Sequence, residues 1–257
     1  MDDYFSFCES LWQAWLKGDL EAPPIIERTF NLQAAPEPYL SFGAGPRALV
    51  AVTTNPGATM PHQVRAVVLA GSGPVNPTMS YHEAAHHLGS FYEQQLKGQA
   101  RRRIAALRKL AQFVGTEGVL QVEACPFHSP SLPKKAALLS SVAQSGLLAE
   151  YVDHLREFIQ ERPTVVVSAI SSRAELGPEL RLSRWLAWQA EIGGVQTEGA
   201  TFVPLIEKVG KITCGAFISS ANGATKALVL MMGGNHLPGE AGLRALSEAF
   251  QHRGHTG

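Results

Sequence analysis

Four short stretches of this chain combine residue types that could do chemistry. Residues 49–59, LVAVTTNPGAT, read as an apolar strand that runs into Asn55-Pro56-Gly57. Pro56 cannot donate to a sheet ladder, so the strand stops there and a rigid turn follows. Ligands of open α/β sheets bind just past the carboxyl ends of strands, and Asn55 offers a neutral amide there that can hold a water. Residues 118–123, GVLQVE, read as a second strand that delivers Glu123 and then Cys125-Pro126-Phe127-His128-Ser129. Residues 227–232, ALVLMM, read as a last strand that leads into Gly233-Gly234-Asn235-His236-Leu237-Pro238-Gly239. The fourth stretch, His82-Glu83-Ala84-Ala85-His86, is an H-E-x-x-H, whose histidines share one helix face and could bind zinc.

Each stretch also has a plain structural explanation. An Asn-Pro-Gly is commonly only a turn, and Glu123 could face a helix dipole or an arginine. The H-E-x-x-H lacks an evident third ligand, because Tyr92 stands three past Gly89, where one group of metalloproteases has histidine. Ser80-x-x-Glu83 reads as a capping box, which would turn Glu83 back toward the helix start. No metal and no organic cofactor are expected.

The elements that must position these residues follow from periodicity. Phe5, Cys8, Leu11, Trp12 and Trp15 predict an amphipathic helix over residues 3–17, closed by Gly18. Five prolines between residues 23 and 46 predict a loop laid over the surface, and residues 64–69 read as a short strand. Helices are predicted over residues 80–97, 98–113 and 134–159, the last disturbed near Gly146, and again after Pro178, where Trp185 and Trp188 pack. The second helix carries Arg101, Arg102 and Arg103, a charge run that is either a solvated face or a phosphate contact. Residues 164–168, TVVVS, are a buried strand, and residues 200–219 are ambiguous. Valine- and leucine-rich strands alternating with helices predict an α/β fold, a three-layer α/β/α sandwich with a mostly parallel central sheet.

The whole chain, residues 1–257, is expected to form one domain, with residues 1–46 packed on it. Its 22 basic and 22 acidic residues cancel, so nucleic-acid attraction would need a local basic face. Three widely spaced cysteines argue against a disulfide framework, and no apolar run approaches the roughly 18 residues that span a bilayer. A soluble, unprocessed, cytoplasmic protein without membrane contact or obligate protein partner is expected.

Taken together, Thr53-Thr54-Asn55-Pro56-Gly57, Glu123-Ala124-Cys125-Pro126 and Asn235-His236-Leu237-Pro238-Gly239 resemble, in order and spread, the motifs of the uracil-DNA glycosylase superfamily. The resemblance is to its single-strand-selective monofunctional branch and to bacterial anti-phage relatives. It implies a uracil-DNA glycosylase-like sandwich and a monofunctional DNA glycosylase that flips out a base and leaves an abasic site. Asn55 would position the attacking water and His236 would donate to O2 of the leaving base. Glu123, Pro56, Gly57 and Asn235 would line the base, with Phe127 or Tyr81 stacking on it. Ser129, Lys134, Lys135, Leu237 and Arg101 would touch DNA. The chain departs from the family where Thr53 replaces a glycine, where His-Leu-Pro replaces H-P-S, and above all at Glu123, which replaces an asparagine that reads uracil. An ionised carboxylate only accepts, so it would repel O4 of uracil and suit the C4 amino group of cytosine. The resulting expectation is excision of a modified cytosine such as glucosylated hydroxymethylcytosine in phage DNA. Uracil excision, a zinc hydrolase using His82, Glu83 and His86, and a non-catalytic nucleic-acid-binding relative are the alternatives.

Overall fold

The computed structural model describes residues 3–45, 48–53, 56–95, 97–129, 144–160, 164–169, 201–208, 211–221, 224–232 and 239–254. The chain mixes helix and strand, and its contacts gather it into two compact units interleaved along the sequence. The first comprises Met1–Phe42, Thr53–Gln95 and Gln121–Phe158; the second comprises Gly43–Val52, Leu96–Leu120 and Ile159–Gly257.

In the first unit, α1 (Asp3–Lys17) buries Tyr4, Cys8, Leu11, Trp12, Trp15 and Leu16 at the spacing the sequence predicts. Gly18 ends it with a positive φ of 82°, a conformation that costs glycine nothing. The Trp12 and Trp15 indoles stack 5.1 Å apart and donate to the carbonyls of Met79 and Leu32. The proline-rich segment does not form the expected surface loop. It holds the short helix α2 (Pro24–Thr29) and the strand β1 (Tyr39–Phe42), and residues 34–42 are buried throughout. Proline ended regular structure only locally: Pro24 opens α2, where its missing N–H costs nothing, and β1 begins one residue past Pro38. Residues 64–69 are likewise not a strand. A 3-10 turn, Pro61–Gln63, leads into α3 (Arg65–Leu69), so the apolar run there is a one-sided helical turn with Val68 buried.

The helix α4 (Tyr81–Gln95) lies directly on β1, since a Cβ added at Gly89 would come within 1.9 Å of the Ser41 carbonyl oxygen. The helix α6 (Gly146–Gln160), the first described after α5 (Gly98–Phe113), buries Leu148, Tyr151, Val152, Leu155 and Phe158. Gly146 stands at its start, and residues 134–143 lie outside the described residues.

The first unit holds β1, Gln121–Glu123 of β3 (Val119–Glu123) and Thr53 of β2 (Leu49–Thr53). In the second unit, β2 is followed by β4 (Thr164–Ala169), β7 (Ala224–Met232), β6 (Lys211–Ala221) and β5 (Thr201–Lys208). Val50 pairs in parallel with Val165, and Val165 in parallel with Leu228. The β7–β6 and β6–β5 pairs are antiparallel, so the sheet is mixed where the sequence reading expected mostly parallel pairing. Two-residue connections join these strands, and only an antiparallel pair can be closed so tightly. α5 presents Arg101, Arg102 and Lys109 to solvent while Ile104, Leu107, Leu110 and Ala111 are buried. α7 (Glu240–Gly254) packs on β5 in the same unit. The expected helix with Trp185 and Trp188 lies outside the described residues. Among the described residues no helix is long and apolar enough to cross a membrane.

Candidate functional site

Two of the three motif-bearing strand ends meet in the first unit, joined by backbone hydrogen bonds. The Ala124 amide donates to the Thr53 carbonyl at 2.7 Å, and the Ser129 amide donates to the Gly57 carbonyl at 2.9 Å. The Thr53 hydroxyl reaches the Val122 carbonyl at 3.3 Å, a bond that the glycine expected by family resemblance could not make. Gly57 has a positive φ of 81°, a conformation that glycine adopts without steric cost. Among the described residues, a Cβ built there would meet nothing within 4 Å. Asn55, the residue this turn was expected to present, lies outside the described residues, as do Asn235, His236, Leu237, Lys134 and Lys135.

Glu123 closes β3 and is 2% exposed. Its Oε1 accepts from Gln121 Nε2 at 2.8 Å, its amide donates to the Pro38 carbonyl, and its carbonyl accepts from the Tyr151 hydroxyl at 2.6 Å. The Pro38 carbonyl also accepts from the Tyr4 and Tyr151 hydroxyls, so helices α1 and α6 pin the strand end from one side.

A second acid, Glu37, is 3% exposed and close enough for the Glu123 charge to act on it. Glu37 Oε1 accepts from the Tyr92 hydroxyl at 2.8 Å and from Gln63 Nε2, while the Glu37 amide donates to the Pro126 carbonyl. Gln63 Nε2 also lies 2.6 Å from the Tyr92 hydroxyl, its Oε1 accepts from the Met60 amide, and His62 Nε2 lies 3.4 Å from the same hydroxyl. Burial pushes the Glu37 carboxyl up, and the Tyr92 bond pulls it back. The Glu123 charge raises it further and the Gln63 bond lowers it, leaving it at about 7.

His128 is a third buried polar group, 1% exposed, on the segment that follows β3. The backbone of Gly57, Ala35 and Ala58 surrounds the ring closely enough to favour its charged form, yet among the described residues no group reaches either ring nitrogen at hydrogen-bonding geometry. Burial outweighs those carbonyls and lowers the ring to about 4, so it is neutral at physiological pH. Its carbonyl accepts from the Asn31 amide, and Asn31 Nδ2 donates to Thr59, so the N-terminal segment clamps the turn.

Sequence reasoning passed over Glu37, Gln63, Tyr92 and His128. One signal was available: Glu37 interrupts the apolar run Ala34-Ala35-Pro36-Glu37-Pro38-Tyr39-Leu40, where a buried charge needs partners. The remaining expected residues fall as follows. Phe127 is buried 6.2 Å from the Phe30 ring, and Tyr81 is buried against Trp12 and Tyr39 with its hydroxyl on the Tyr39 carbonyl. Ser129 is buried, and Arg101 is exposed on α5 of the second unit.

In the H-E-x-x-H stretch, Glu83 Oε2 accepts from both the amide and the hydroxyl of Ser80 at 2.9 Å, and the Glu83 amide donates back to Ser80. This is a reciprocal cap at the start of α4. The His82 and His86 rings lie 4.8 Å apart, and His82 Nδ1 lies 3.2 Å from the Tyr39 hydroxyl. Among the described residues no three His, Cys, Asp or Glu side chains are grouped to hold a metal ion. Comparison with protein-family models, with curated proteins and with solved structures found no match to this chain.

Proposed function

We propose that this protein is a monofunctional DNA glycosylase of uracil-DNA glycosylase-like α/β/α architecture, acting in the cytoplasm on a modified cytosine such as glucosylated hydroxymethylcytosine. The observation that carries the reading is the hydrogen-bonded meeting of the Pro56-Gly57 turn with the strand end that bears buried Glu123. A strand-end acid beside a glycine turn whose Cβ position meets none of the described residues is an arrangement in which a flipped base could be read at its edge. Glu123 accepts from the C4 amino group, Asn55 positions water, and His236 stabilises charge developing on O2 of the departing base. Phe127 and Tyr81 shape the apolar surroundings of the base, while Ser129, Arg101, Lys134, Lys135 and Leu237 serve the DNA strand. The zinc-hydrolase alternative is disfavoured by one observation: Glu83, its general base, is engaged in the Ser80 cap.

The test is incubation with oligonucleotides carrying uracil, hydroxymethylcytosine or glucosylated hydroxymethylcytosine, with and without a chelator, followed by alkali cleavage and mass analysis of the released base. Release of the modified cytosine in chelator is expected. In single-turnover assays Glu123→Gln loses a charge-assisted hydrogen bond worth about 1.5 to 3 kcal/mol, and Glu123→Asn shifts preference toward uracil. A rate ratio for uracil against modified cytosine that is the same in all three proteins would remove Glu123 from base reading. Zinc-dependent activity would revive the hydrolase.

A further inference from the structure

The H-E-x-x-H stretch carries two imidazoles that neither the Ser80–Glu83 cap nor base release uses. His82 and His86 stand about one helical turn apart on α4, so their side chains share a face. That face is open to solvent, with His82 exposed and His86 half-buried. The two rings lie 4.8 Å apart between centroids. Two imidazoles on one zinc ion, with Zn–N about 2.0–2.1 Å, put their centroids about 5 Å apart. The observed separation is the one a shared ion needs.

The surroundings hold the pair in place. His82 sits in the first turn of α4, and the reciprocal Ser80–Glu83 cap keeps that turn from fraying. Phe5 meets the His82 ring edge-on at 6.2 Å, and the hydroxyl of buried Tyr39 lies 3.2 Å from His82 Nδ1. A histidine that binds metal through one ring nitrogen gives the hydrogen of the other to an oxygen, which sets both its tautomer and its direction. Nδ1 is the engaged nitrogen here, and Nε2 is left to coordinate. A cation near a helix start is unfavourably placed, but the Glu83 carboxylate stands close enough to act on His82 and offsets that penalty.

We propose that His82 and His86 form a two-imidazole site for a divalent transition-metal ion of the zinc, copper and nickel class, with Tyr39 as the residue that orients His82. Water takes the remaining coordination positions, because among the described residues no third His, Cys, Asp or Glu is grouped with the pair. Imidazole nitrogen suits these ions, whereas calcium and magnesium take oxygen ligands. The site is not the zinc hydrolase of the sequence motif, since Glu83 stays in its cap and supplies no base. It is also independent of base release, so the two readings stand or fall separately.

The experiment is a titration of the full chain with zinc chloride, nickel chloride and calcium chloride, read by equilibrium dialysis and, for zinc, by imidazole nitrogen shifts in NMR. In wild type, zinc should move the Nε2 resonances of His82 and His86, nickel should compete with it, and calcium should not. Tyr39→Phe should weaken zinc binding about 10- to 100-fold, and His82→Asn or His86→Asn should weaken it by more. Both histidines lie on the open face, so the asparagine variants should keep the wild-type circular dichroism, and zinc should raise the thermal midpoint of wild type but not of these variants. Zinc affinity unchanged in the double variant His82→Asn/His86→Asn, or shifts confined to other histidines, would overturn the site. Wild-type affinity in a folded Tyr39→Phe would overturn the orienting role. Base release by the asparagine variants should match wild type; a loss restored by zinc would overturn the separation of the two sites.

Discussion

Glu37 and His128 are buried in the same unit, and their titrations act on stability with opposite sign. The Glu37 carboxyl rises from an ordinary 4.5 to about 7 on folding. The stability it contributes is therefore full below the unfolded value and is lost as pH rises through the folded one, by about 3 kcal/mol in all. The His128 ring falls from 6.5 to about 4, so its contribution is full above the unfolded value and is lost as pH falls, again by about 3 kcal/mol. Across the interval where both titrate, the two slopes cancel. Denaturant unfolding of Glu37→Gln is expected to uncover a stability that rises with pH between about 4 and 6.5. His128→Phe is expected to uncover the reverse, a stability that falls between about 4.5 and 7. Parallel pH profiles in wild type and both variants would show that neither group shifts on folding.

At the scale of elements, the close approach of α4 to β1 sets where Tyr92 can reach Glu37. Gly89→Ala puts a methyl against the Ser41 carbonyl, backbone that has little freedom to yield, and overpacking of this kind costs about 1–3 kcal/mol. Because α4 would shift as a body, the variant should also weaken the Tyr92 contact and move the Glu37 titration. Gly57→Ala is the contrasting case. Its Cβ meets nothing within 4 Å among the described residues, so the cost is the positive φ alone, about 1–2 kcal/mol, with the Glu37 titration unmoved. Urea midpoints measured with the carboxyl titration separate the two; equal effects of both variants on Glu37 would contradict the packing argument.

For the molecule as a whole, the three cysteines report on its two units. Cys8 and Cys125 are buried in the first and Cys214 in the second. Burial pushes the thiols up, Cys125 and Cys214 to about 12, so the reactive thiolate is scarce as well as shielded. The folded protein is expected to take up no thiol reagent at mildly alkaline pH. In rising denaturant Cys8 and Cys125 should become reactive together, read by mass spectrometry of labelled peptides. Labelling of Cys8 well before Cys125 would show that the first unit does not open cooperatively.

The sequence by itself determined what depends on neighbours along the chain. The apolar stripe and terminal glycine of α1, the Ser80–Glu83 cap, the valine-rich β2, β3 and β4, and the halt of β2 before Pro56 all follow from local periodicity and backbone chemistry. The β6–β7 hairpin was legible too: Asn222-Gly223 between two apolar runs favours a tight antiparallel turn, and overlooking it led to the expectation of a mostly parallel sheet. Tertiary structure alone decided which polar residues share one buried neighbourhood. Glu37, Gln63, Tyr92 and Glu123 come from a proline-rich segment, a 3-10 turn, a helix and a strand end, and no periodicity links them. Prolines that look like surface-loop markers in sequence are buried here because the segment's carbonyls find donors far along the chain, such as the Glu123 amide on Pro38. A carboxyl's charge state is set by how much water its neighbours exclude, and that is a property of the packed fold.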